Sequence, residues 1–555
     1  MWSSQLSMTS SFHPLLDSHR PSASNLQIVI TMESVTKETV SSHRADAEKA
    51  DMEHVDVVVM EKHGTEIDAR DMKRMGKTQS FQRNFAFYST LGFSMVLMSS
   101  WETQLATATF GLTNGGTAGV IYIYLATFFG FGMAIVSMAE MASMAPTAGG
   151  QYHWVSEFAA PGAQKFVSYT TGWLCVLGWQ AGSAAGCYLA GTEIQALIIL
   201  NNPTYVPQRW HGSLLAIALV CVSLFINTVL AKVLPTIQAT ILVLHVCGFI
   251  AILVPLWVLA PHAPAERVFT QFNDGGDWRS TGLATLVGIL SPVVSLIGPD
   301  AAVHISEEVR NASKTIPRIM LATAIGNGAF GFVMLVTLCF CIGDLEEVLG
   351  TPTGYPFIQV FYNATQSTAG ATVMTCIMII LSQFCAVTNM TTASRQLFSF
   401  ARDRGTPFHV FFRSVLHDIP LNAILTTSIV SILLISISFG STIAFNQLTA
   451  LGTVALLASY LVSIGSMAWR RITSQPLLPS HFSLGRWGLA INMAALMFLI
   501  LAFVMVCFPP ARNPELESMN WSSVIFSGVV VLSGGYYLRA REKYVGPVKL
   551  VRKEV

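Results

Sequence analysis

Long runs of uncharged residues recur along the chain, and they constrain its fold more than any other feature. The run SLLAIALVCVSLFINTVLA begins at Ser213, and INMAALMFLILAFVMVCF begins at Ile491. Each is close to the roughly 20 residues that a helix needs to cross about 30 Å of hydrocarbon. Charged residues form 11% of the 555, against about a quarter in soluble chains. The sequence therefore predicts an all-α polytopic membrane protein.

Apolar runs separated by polar breaks predict twelve transmembrane helices. The predicted helices begin near Phe85, Gly119, Phe166, Gly212, Pro235, Leu283, Ile319, Ala371, Asn422, Phe445, Leu489 and Val524. With the N-terminus in the cytosol, most loop Lys and Arg residues fall on that side, and the other side receives Arg209, Arg267, Arg279 and Arg512. Basic loop residues mark the cytosolic side of a membrane protein, so we expect both termini there.

The polar regions at the two ends divide the chain into three parts. Residues 1–80 are polar and of mixed charge, which predicts a disordered cytosolic tail. Residues 81–541 hold the twelve helices, and residues 542–555 form a short cytosolic C-terminal tail. No apolar core follows Met1, so no cleavable signal peptide is expected.

Motifs for chemistry on soluble domains are missing from the sequence. The nine cysteines lie in or beside apolar runs without metal-ligand spacing, and they are interpreted as small buried apolar residues. No HExxH or GxSxG motif occurs, so an enzyme is not expected. The net charge of +1 gives no indication of nucleic acid, and no cofactor, metal site or nucleic-acid partner is expected. Asn363 begins a glycosylation sequon on the predicted outer face, and its use or its chance occurrence both stay open.

The first and sixth predicted spans are both interrupted by residues that do not suit a membrane helix. GFSMVLMSSWETQLATATFGL places Ser99 to Thr103 inside an apolar run, and VVSLIGPDAAVHISEEV does the same with Gly298 to Asp300. Interrupted helices at matching positions of two halves are typical of transporters built from inverted repeats. Freed backbone groups at such breaks can bind a solute. The alternative is a simple proline kink with Glu102 at the outer edge of its span.

Four motifs carry a resemblance to a known family. They are SMAEMASMAPTAGGQYHWVSEFA (137–159), TGWLCVLGWQAG (171–182), LIGPDAAVHISEEVRNASKTIPRIM (296–320) and ASRQLFSFARDRGTPF (393–408). In this order the chain resembles the amino acid–polyamine–organocation (APC) transporters, specifically the fungal amino acid/choline transporter (ACT) branch. The resemblance implies a five-plus-five inverted repeat with broken helices 1 and 6, plus two appended helices.

The resemblance also implies a substrate site at the membrane midplane between the two broken helices. Its backbone would come from Ser99, Ser100, Trp101, Glu102 and Thr103 together with Ile297, Gly298, Pro299, Asp300 and Ala301. Members take up amino acids, choline, GABA or polyamines, commonly with protons. Amino acid members often have glycines at the first break, where this chain has SSWET. That departure favours choline or another amine over a simple amino acid carboxylate.

Ionisable and aromatic residues near the breaks are candidates for coupling and binding. Glu102, His245 and His304 could carry protons, although Glu102 could also face water and each histidine could be a packing residue. Trp101 could stack on a quaternary ammonium or simply pack between helices. Asp300 could face the same cavity or cap the half-helix that follows it.

Acidic residues at the predicted inner ends of spans 2 and 6 are candidates for a gate. Glu140, Glu307 and Glu308 lie near cytosolic basic residues, and ion pairs with Arg318 or Arg395 are expected. A solvated loop without such pairs is the alternative.

Together these features predict a secondary active permease for a small amine-bearing solute such as choline, an amino acid or GABA. It would work by alternating access with proton coupling, in the plasma membrane or the vacuolar membrane. Two alternatives stay open: an exporter of a small alkaloid or amino-acid-derived metabolite, and a nutrient sensor that does not transport. The long polar tail is the feature that favours a sensor.

Overall fold

The fold of the described residues is helical throughout. A computed structural model describes residues 64–440, 444–516 and 518–547, with the backbone alone for residues 444–446. Extended pairing within these ranges is limited to two isolated bridges, one of which joins Phe85 to Val309. Long apolar segments form helices because a helix satisfies all its backbone hydrogen bonds internally, as hydrocarbon requires.

Within the described residues, eleven helices are long and apolar enough to cross a membrane. They are Gly116–Met144 (span 2), Gln164–Asn201 (span 3), Arg209–Thr228 (span 4), Ala231–Leu259 (span 5), Thr281–His304 (span 6), Ala312–Cys341 (span 7), Thr368–Arg402 (span 8), Leu421–Phe439 (span 9), Gln447–Ile472 (span 10), Gly485–Val506 (span 11) and Ser522–Ala540 (span 12). Residues 87–113 form span 1, which is too interrupted to count as one long helix. The predicted set of twelve spans is therefore confirmed in order.

Spans 1 and 6 are each built from three helical pieces, as the interrupted sequences predict. The pieces of span 1 are Phe87–Met98, Ser100–Ala106 and Ala108–Thr113. Those of span 6 are Thr281–Val287, Leu290–Leu296 and Ala301–His304. The helices outside the spans are Glu66–Arg74, Gln151–Phe158, Ala265–Thr270, Leu345–Leu349, Pro356–Thr365 and His409–Phe412.

Helix packing places the interrupted spans at the centre of the bundle. Span 3 packs against spans 4, 8 and 10, and span 1 packs against spans 5, 7 and 8. Large apolar side chains such as Val243, Ile429, Met497 and Leu532 are exposed on the outer surface. Exposed apolar residues on so many helices require a lipid environment. The chain is an integral, multi-pass membrane protein.

Hydrogen bonds attach the segment before span 1 and the end of span 12 to other spans at the same end of the bundle. Lys77, just before span 1, bonds to Asp403 at the end of span 8. Lys165, at the start of span 3, donates to the carbonyl of Arg541 at the end of span 12. We call this end of the bundle the basic end and the other the far end.

Part of the predicted disordered tail is a helix that packs on the basic end. Residues 1–63 lie outside the described residues, but Glu66–Arg74, here called the tail helix, is regular and caps itself through Thr65 and Asp68. Asp68 is buried and accepts hydrogen bonds from the backbone N–H groups of Asn311 and Ala312 at the start of span 7. The prediction of disorder up to residue 80 is therefore wrong for this segment, because a buried carboxylate fixes it.

The predicted C-terminal tail is also partly packed on the bundle. Residues 548–555 lie outside the described residues, whereas Tyr544 is buried against Tyr169 and Phe400. Its hydroxyl lies 2.9 Å from the Ser168 hydroxyl. The aromatic side chains around Tyr544 thus attach the segment that follows span 12 to span 3.

We predict that Asp68→Ala detaches the tail helix. The change leaves two backbone N–H groups and the Arg83 guanidinium, 3.3 Å from Asp68, without their buried acceptor, which costs roughly 3–5 kcal/mol of docking free energy. Trypsin should then cleave faster at Lys73 and Arg74. Glu66→Ala, an exposed change on the same helix, is the control, and equal cleavage rates in the two variants would contradict the prediction.

Candidate functional site

Span 1 breaks at Ser99. The first helical piece ends there, with Ser99 in the left-handed region at φ 40° and ψ 47°, and the next piece begins at Ser100. The Ser99 hydroxyl donates to the carbonyl of Val96 at 2.5 Å. The first turn of the new piece exposes N–H groups that no carbonyl of its own helix accepts.

Span 6 breaks over residues 297–300. Its helix ends at Leu296, Gly298 adopts a φ of +115°, and the next piece begins at Ala301. A Cβ atom at residue 298 would lie 2.6 Å from Cδ2 of Leu97 on span 1. The backbone angle therefore requires glycine at this position, whereas the Leu97 side chain could move to make room for a Cβ atom.

Small polar side chains join the two interrupted spans directly. The Ser100 hydroxyl donates to the carbonyl of Ser295 at 2.7 Å. The Gln104 amide donates to the Ser291 hydroxyl and accepts from the Ser295 hydroxyl, each at 3.0 Å. Sequence analysis did not identify Gln104, Ser291 or Ser295. Their spacing of four residues along each span, which places polar groups on one helix face, is the signal that could have found them.

A cavity of about 120 Å³ lies between spans 1, 3, 6, 8 and 10. Its wall includes Thr103, Ile297 and Gly298 of the predicted site. It also includes residues that the sequence did not indicate, namely Thr107, Trp179, Gly182, Cys385, Asn389, Thr449 and Thr453. Within the described chain the wall carries neutral polar and apolar side chains but no charged one. The cavity can therefore offer hydrogen bonds and an indole surface to a small solute.

The side chains of Trp101 and Glu102 turn away from this cavity towards span 5. Trp101 is fully buried, with its ring centroid 5.9 Å from that of His245 and 6.0 Å from that of Phe249. It is therefore a packing residue in this structure. The wall of the cavity also lacks the predicted site residues Ser99, Ser100, Pro299, Asp300 and Ala301.

Glu102 belongs to a buried chain of polar groups that also includes His245 and Asn327. Oε1 of Glu102 lies 2.6 Å from Nδ1 of His245, and Nε2 of His245 lies 3.0 Å from Oδ1 of Asn327. The Asn327 amide donates to the carbonyl of Met95 at 2.8 Å, beside the break in span 1. Since Oδ1 of Asn327 must accept, Nε2 of His245 carries hydrogen, as assigned from these partners.

This arrangement requires one proton between Glu102 and His245. Nδ1 of His245 and Oε1 of Glu102 can share a hydrogen bond as a neutral pair or as an ion pair. Without that proton, the Glu102 carboxylate would face a lone pair on Nδ1 of His245, and the two would repel each other. If the ring hydrogen moved to Nδ1 instead, Nε2 would present a lone pair to Oδ1 of Asn327, which is also an acceptor. Turning the amide over would only move the conflict to the carbonyl of Met95. The two hydrogen bonds of His245, to Glu102 and to Asn327, therefore form together only when this proton is present.

Asp300 and His304 form a second buried group on the basic side of the cavity. Asp300 accepts from the Tyr460 hydroxyl at 2.5 Å and from the Gln151 amide at 2.6 Å, so it makes neither a helix cap nor a cavity wall. His304 donates from Nδ1 to the carbonyl of Ala148 and accepts at Nε2 from the Trp179 indole at 3.0 Å. Both partners suit a neutral ring, so this geometry favours the packing alternative for His304.

Ion pairs join neighbouring helices at the basic end of the bundle. Glu307 binds Arg402 through two bonds of 2.7 Å, and Glu308 accepts from Arg395 at 2.9 Å. Glu140, at the end of span 2, instead pairs with Arg471 of span 10 at 2.6 Å. The expected partner Arg395 is thus present, whereas Arg318 is exposed and takes part in none of the ion pairs found in the described ranges. Arg402 is the partner that sequence analysis missed.

Burial and neighbouring charges shift the pKa values of ionisable groups at the basic end. Burial alone would raise the pKa of Glu307, but the Arg402 guanidinium and the Ala148 N–H lower it to about 2. Burial lowers the pKa of the Lys77 ammonium, and the nearby Asp403 carboxylate opposes that effect. Because these charges are held away from water, removal of one partner would leave the other buried without compensation.

The sequon residue Asn363 lies in the helix Pro356–Thr365, between spans 7 and 8. Its Oδ1 accepts from the Gln359 amide at 2.9 Å. Glycosylation at Asn363 stays a prediction.

Comparison with known proteins connects this architecture to one family. The family model described as amino acid permease matches residues 85–532. A predicted amino acid/polyamine transporter of Macrophomina phaseolina is 31% identical over 78% of this chain and 96% of its own. Amino-acid permease 2 of Neurospora crassa is 28% identical, over 87% and 90%. A choline transporter of Saccharomyces cerevisiae is 27% identical, over 82% and 81%.

Solved structures show the same fold at lower sequence identity. A mutant of the manganese transporter of Eremococcus coleocola superposes with a TM-score of 0.55 at 15% identity, over 84% of this chain and 95% of that one. This likeness concerns the arrangement of the helices alone.

We predict that Gly298→Ala disturbs the break in span 6. A side chain at φ +115° and 2.6 Å from Leu97 adds about 1–3 kcal/mol of strain and should lower the melting temperature of the purified protein. Gly132→Ala on span 2, where an added Cβ meets nothing within 4 Å, is the control and should leave the melting temperature unchanged or higher. Equal melting temperatures for the two variants would refute the strain.

We predict that Glu307→Gln destabilises the protein in a pH-dependent way. Loss of a buried charge that pairs with Arg402 costs roughly 3–5 kcal/mol near neutral pH. The pKa of Glu307 falls from an ordinary 4.5 to about 2, so its contribution is complete above 4.5 and is lost as pH falls towards 2.

Melting temperatures of the wild type and Glu307→Gln should therefore converge as pH falls below about 4.5. Glu346→Gln, an exposed change, serves as the control. A constant difference across the acidic range would show that Glu307 is not held ionised.

Proposed function

Because the chain belongs to the amino acid permease family, we propose that it is a secondary active transporter that moves a small amine-bearing solute, such as an amino acid or choline, by alternating access. The observation that carries the proposal is the small neutral cavity between the interrupted spans 1 and 6. Relatives named as amino acid permeases and as a choline transporter support the solute class. A permease of this kind is not an enzyme.

The wall of the cavity suits a small amine. Trp179 borders it with an indole whose N–H is bound to His304, so the ring is held in place. An indole face attracts an ammonium group by roughly 0.5–2 kcal/mol, so the stacking predicted for Trp101 is better assigned to Trp179. Thr103 and Asn389 provide hydrogen bonds to a hydroxyl, a carboxylate or an amine.

We assign proton coupling to the pair of Glu102 and His245. The pair is buried beside the break in span 1, and the hydrogen bond between the two side chains needs one proton. A movement of span 1 relative to span 5 would separate the two groups and change the affinity for that proton. Such a link between helix position and protonation is what coupled transport requires.

We assign the basic end to the cytosol, as basic loop residues indicate. The ion pairs of Glu307 with Arg402 and Glu308 with Arg395 would then close the cytosolic passage, and their rupture would accompany opening to the inside. The plasma membrane is the proposed location.

Transport assays distinguish the proposed uptake from the two alternatives, export and sensing. The purified full-length chain in proteoliposomes should accumulate radiolabelled choline or an amino acid when an inward proton gradient is imposed. Binding without accumulation would identify a sensor, and flux in the outward direction alone would identify an exporter.

We predict that Glu102→Gln abolishes proton coupling and preserves the fold. A glutamine amide still donates to Nδ1 of His245 but cannot exchange a proton, so uptake should fall at least about tenfold and lose its dependence on pH. Uptake and external alkalinisation in proteoliposomes measure both effects. Glu266→Gln, an exposed change at the far end, is the control. Unchanged alkalinisation in Glu102→Gln would clear Glu102 of this role.

A further inference from the structure

Glu193 on span 3 is a buried acid that the roles proposed so far do not use. The residue is 0% exposed, and neither oxygen of its carboxyl group has a hydrogen-bond partner among the described residues. Ser382 on span 8 lies beside it, outside hydrogen-bonding geometry. A buried carboxyl group without donors is rare in folded proteins and indicates that a partner is missing.

The position of Glu193 connects it to the cavity. Leu189, one helical turn earlier on span 3, and Cys385 on span 8 both line the cavity. Glu193 interacts electrostatically with Cys385, with Tyr355 in the segment between spans 7 and 8, and with Glu102 on span 1. The acid therefore lies behind the cavity wall, on the side towards the far end.

The surroundings of Glu193 contain acids but no cation. The titratable groups that act on it are those of Glu102, Tyr355 and Cys385, and no Lys, Arg or His pairs with it in the described part of the chain. Glu102 also has a free oxygen, Oε2, that is buried and without a donor. An unpaired carboxylate is too costly to bury, so Glu193 holds a proton in this structure.

We propose that Glu193 is the counter-charge for the ammonium group of the transported solute. The inference rests on the proposed amine substrate and adds the residue that selects its charge. When the ammonium enters, the Glu193 carboxylic acid releases its proton to water and becomes the carboxylate that binds the cation. The net charge of the site stays the same, because one proton leaves as one ammonium arrives.

The first experiment measures binding to the purified full-length chain. Choline, ethanolamine, GABA and arginine are added separately, and the melting temperature reports binding. At least one should stabilise the wild type and the control Glu266→Gln. Glu193→Gln should fold with an unchanged melting temperature without amine, since it replaces one neutral group by another, but should bind that amine at least about tenfold more weakly.

The second experiment detects the proton itself. Infrared difference spectra between wild type and Glu193→Gln should contain the carbonyl band of a protonated carboxylic acid, and the amine that stabilises the wild type should abolish that band. Glu193→Asp, which keeps the acid on a shorter chain, should retain the band and weaker binding. This variant continues the test if Glu193→Gln does not fold.

The two experiments separate failure of the inference from failure of the proposed function. Binding of the same amine by Glu193→Gln within twofold of wild type would overturn the inference, and so would absence of the acid band in the wild type. If no amine in the panel stabilises the wild type, the proposed solute class is wrong, and with it the role of Glu193 as counter-charge, even if the acid band is present.

Discussion

Hydrogen bonds across the two breaks are the interaction on which the rest of the structure depends. An unsatisfied backbone group in hydrocarbon costs several kcal/mol, so interrupted helices survive there only with partners from neighbouring spans. Ser100 supplies one by donating to the carbonyl of Ser295, and Asn327 adds a second hydrogen bond to the carbonyl of Met95, which also accepts from the N–H of Ser99. The same bonds hold spans 1, 6 and 7 at the distance that leaves a small cavity between the breaks. Fold and site therefore share one set of contacts.

The acidic residues and histidines near the cavity are arranged around it and do not line it. Glu102 and His245 lie on the side of span 5, and Asp300 and His304 lie towards the basic end, while the wall itself is neutral in the described chain. A charge that lined an apolar cavity would be costly to bury when the solute is absent. Placing the acids behind the wall allows each to be neutralised by a hydrogen-bonded partner or by a proton.

Sequence reasoning predicted the fold well because its signals are local. Apolar length gives the spans, and Gly298 with Pro299 reveals the second break without any knowledge of neighbours. Side-chain direction is another matter, since one residue along a helix turns a group by about 100°. Thr103 reaches the cavity whereas Glu102 next to it reaches His245, and no pattern in SSWET distinguishes them. Partners far apart in the sequence, such as Glu307 and Arg402, and the unpartnered state of Glu193, likewise appear only when the helices are assembled.

The tail helix makes the segment before span 1 an intramolecular ligand of the bundle. Asp68 occupies the N–H groups at the start of span 7, and the covalent connection holds it there at a high effective concentration that does not depend on the amount of protein. Any rearrangement that moves Asn311 away from Asp68 must first supply the free energy of this docking. By linkage, a protein that binds the tail helix in its undocked state alone would favour the rearranged state, by its own binding free energy for that helix.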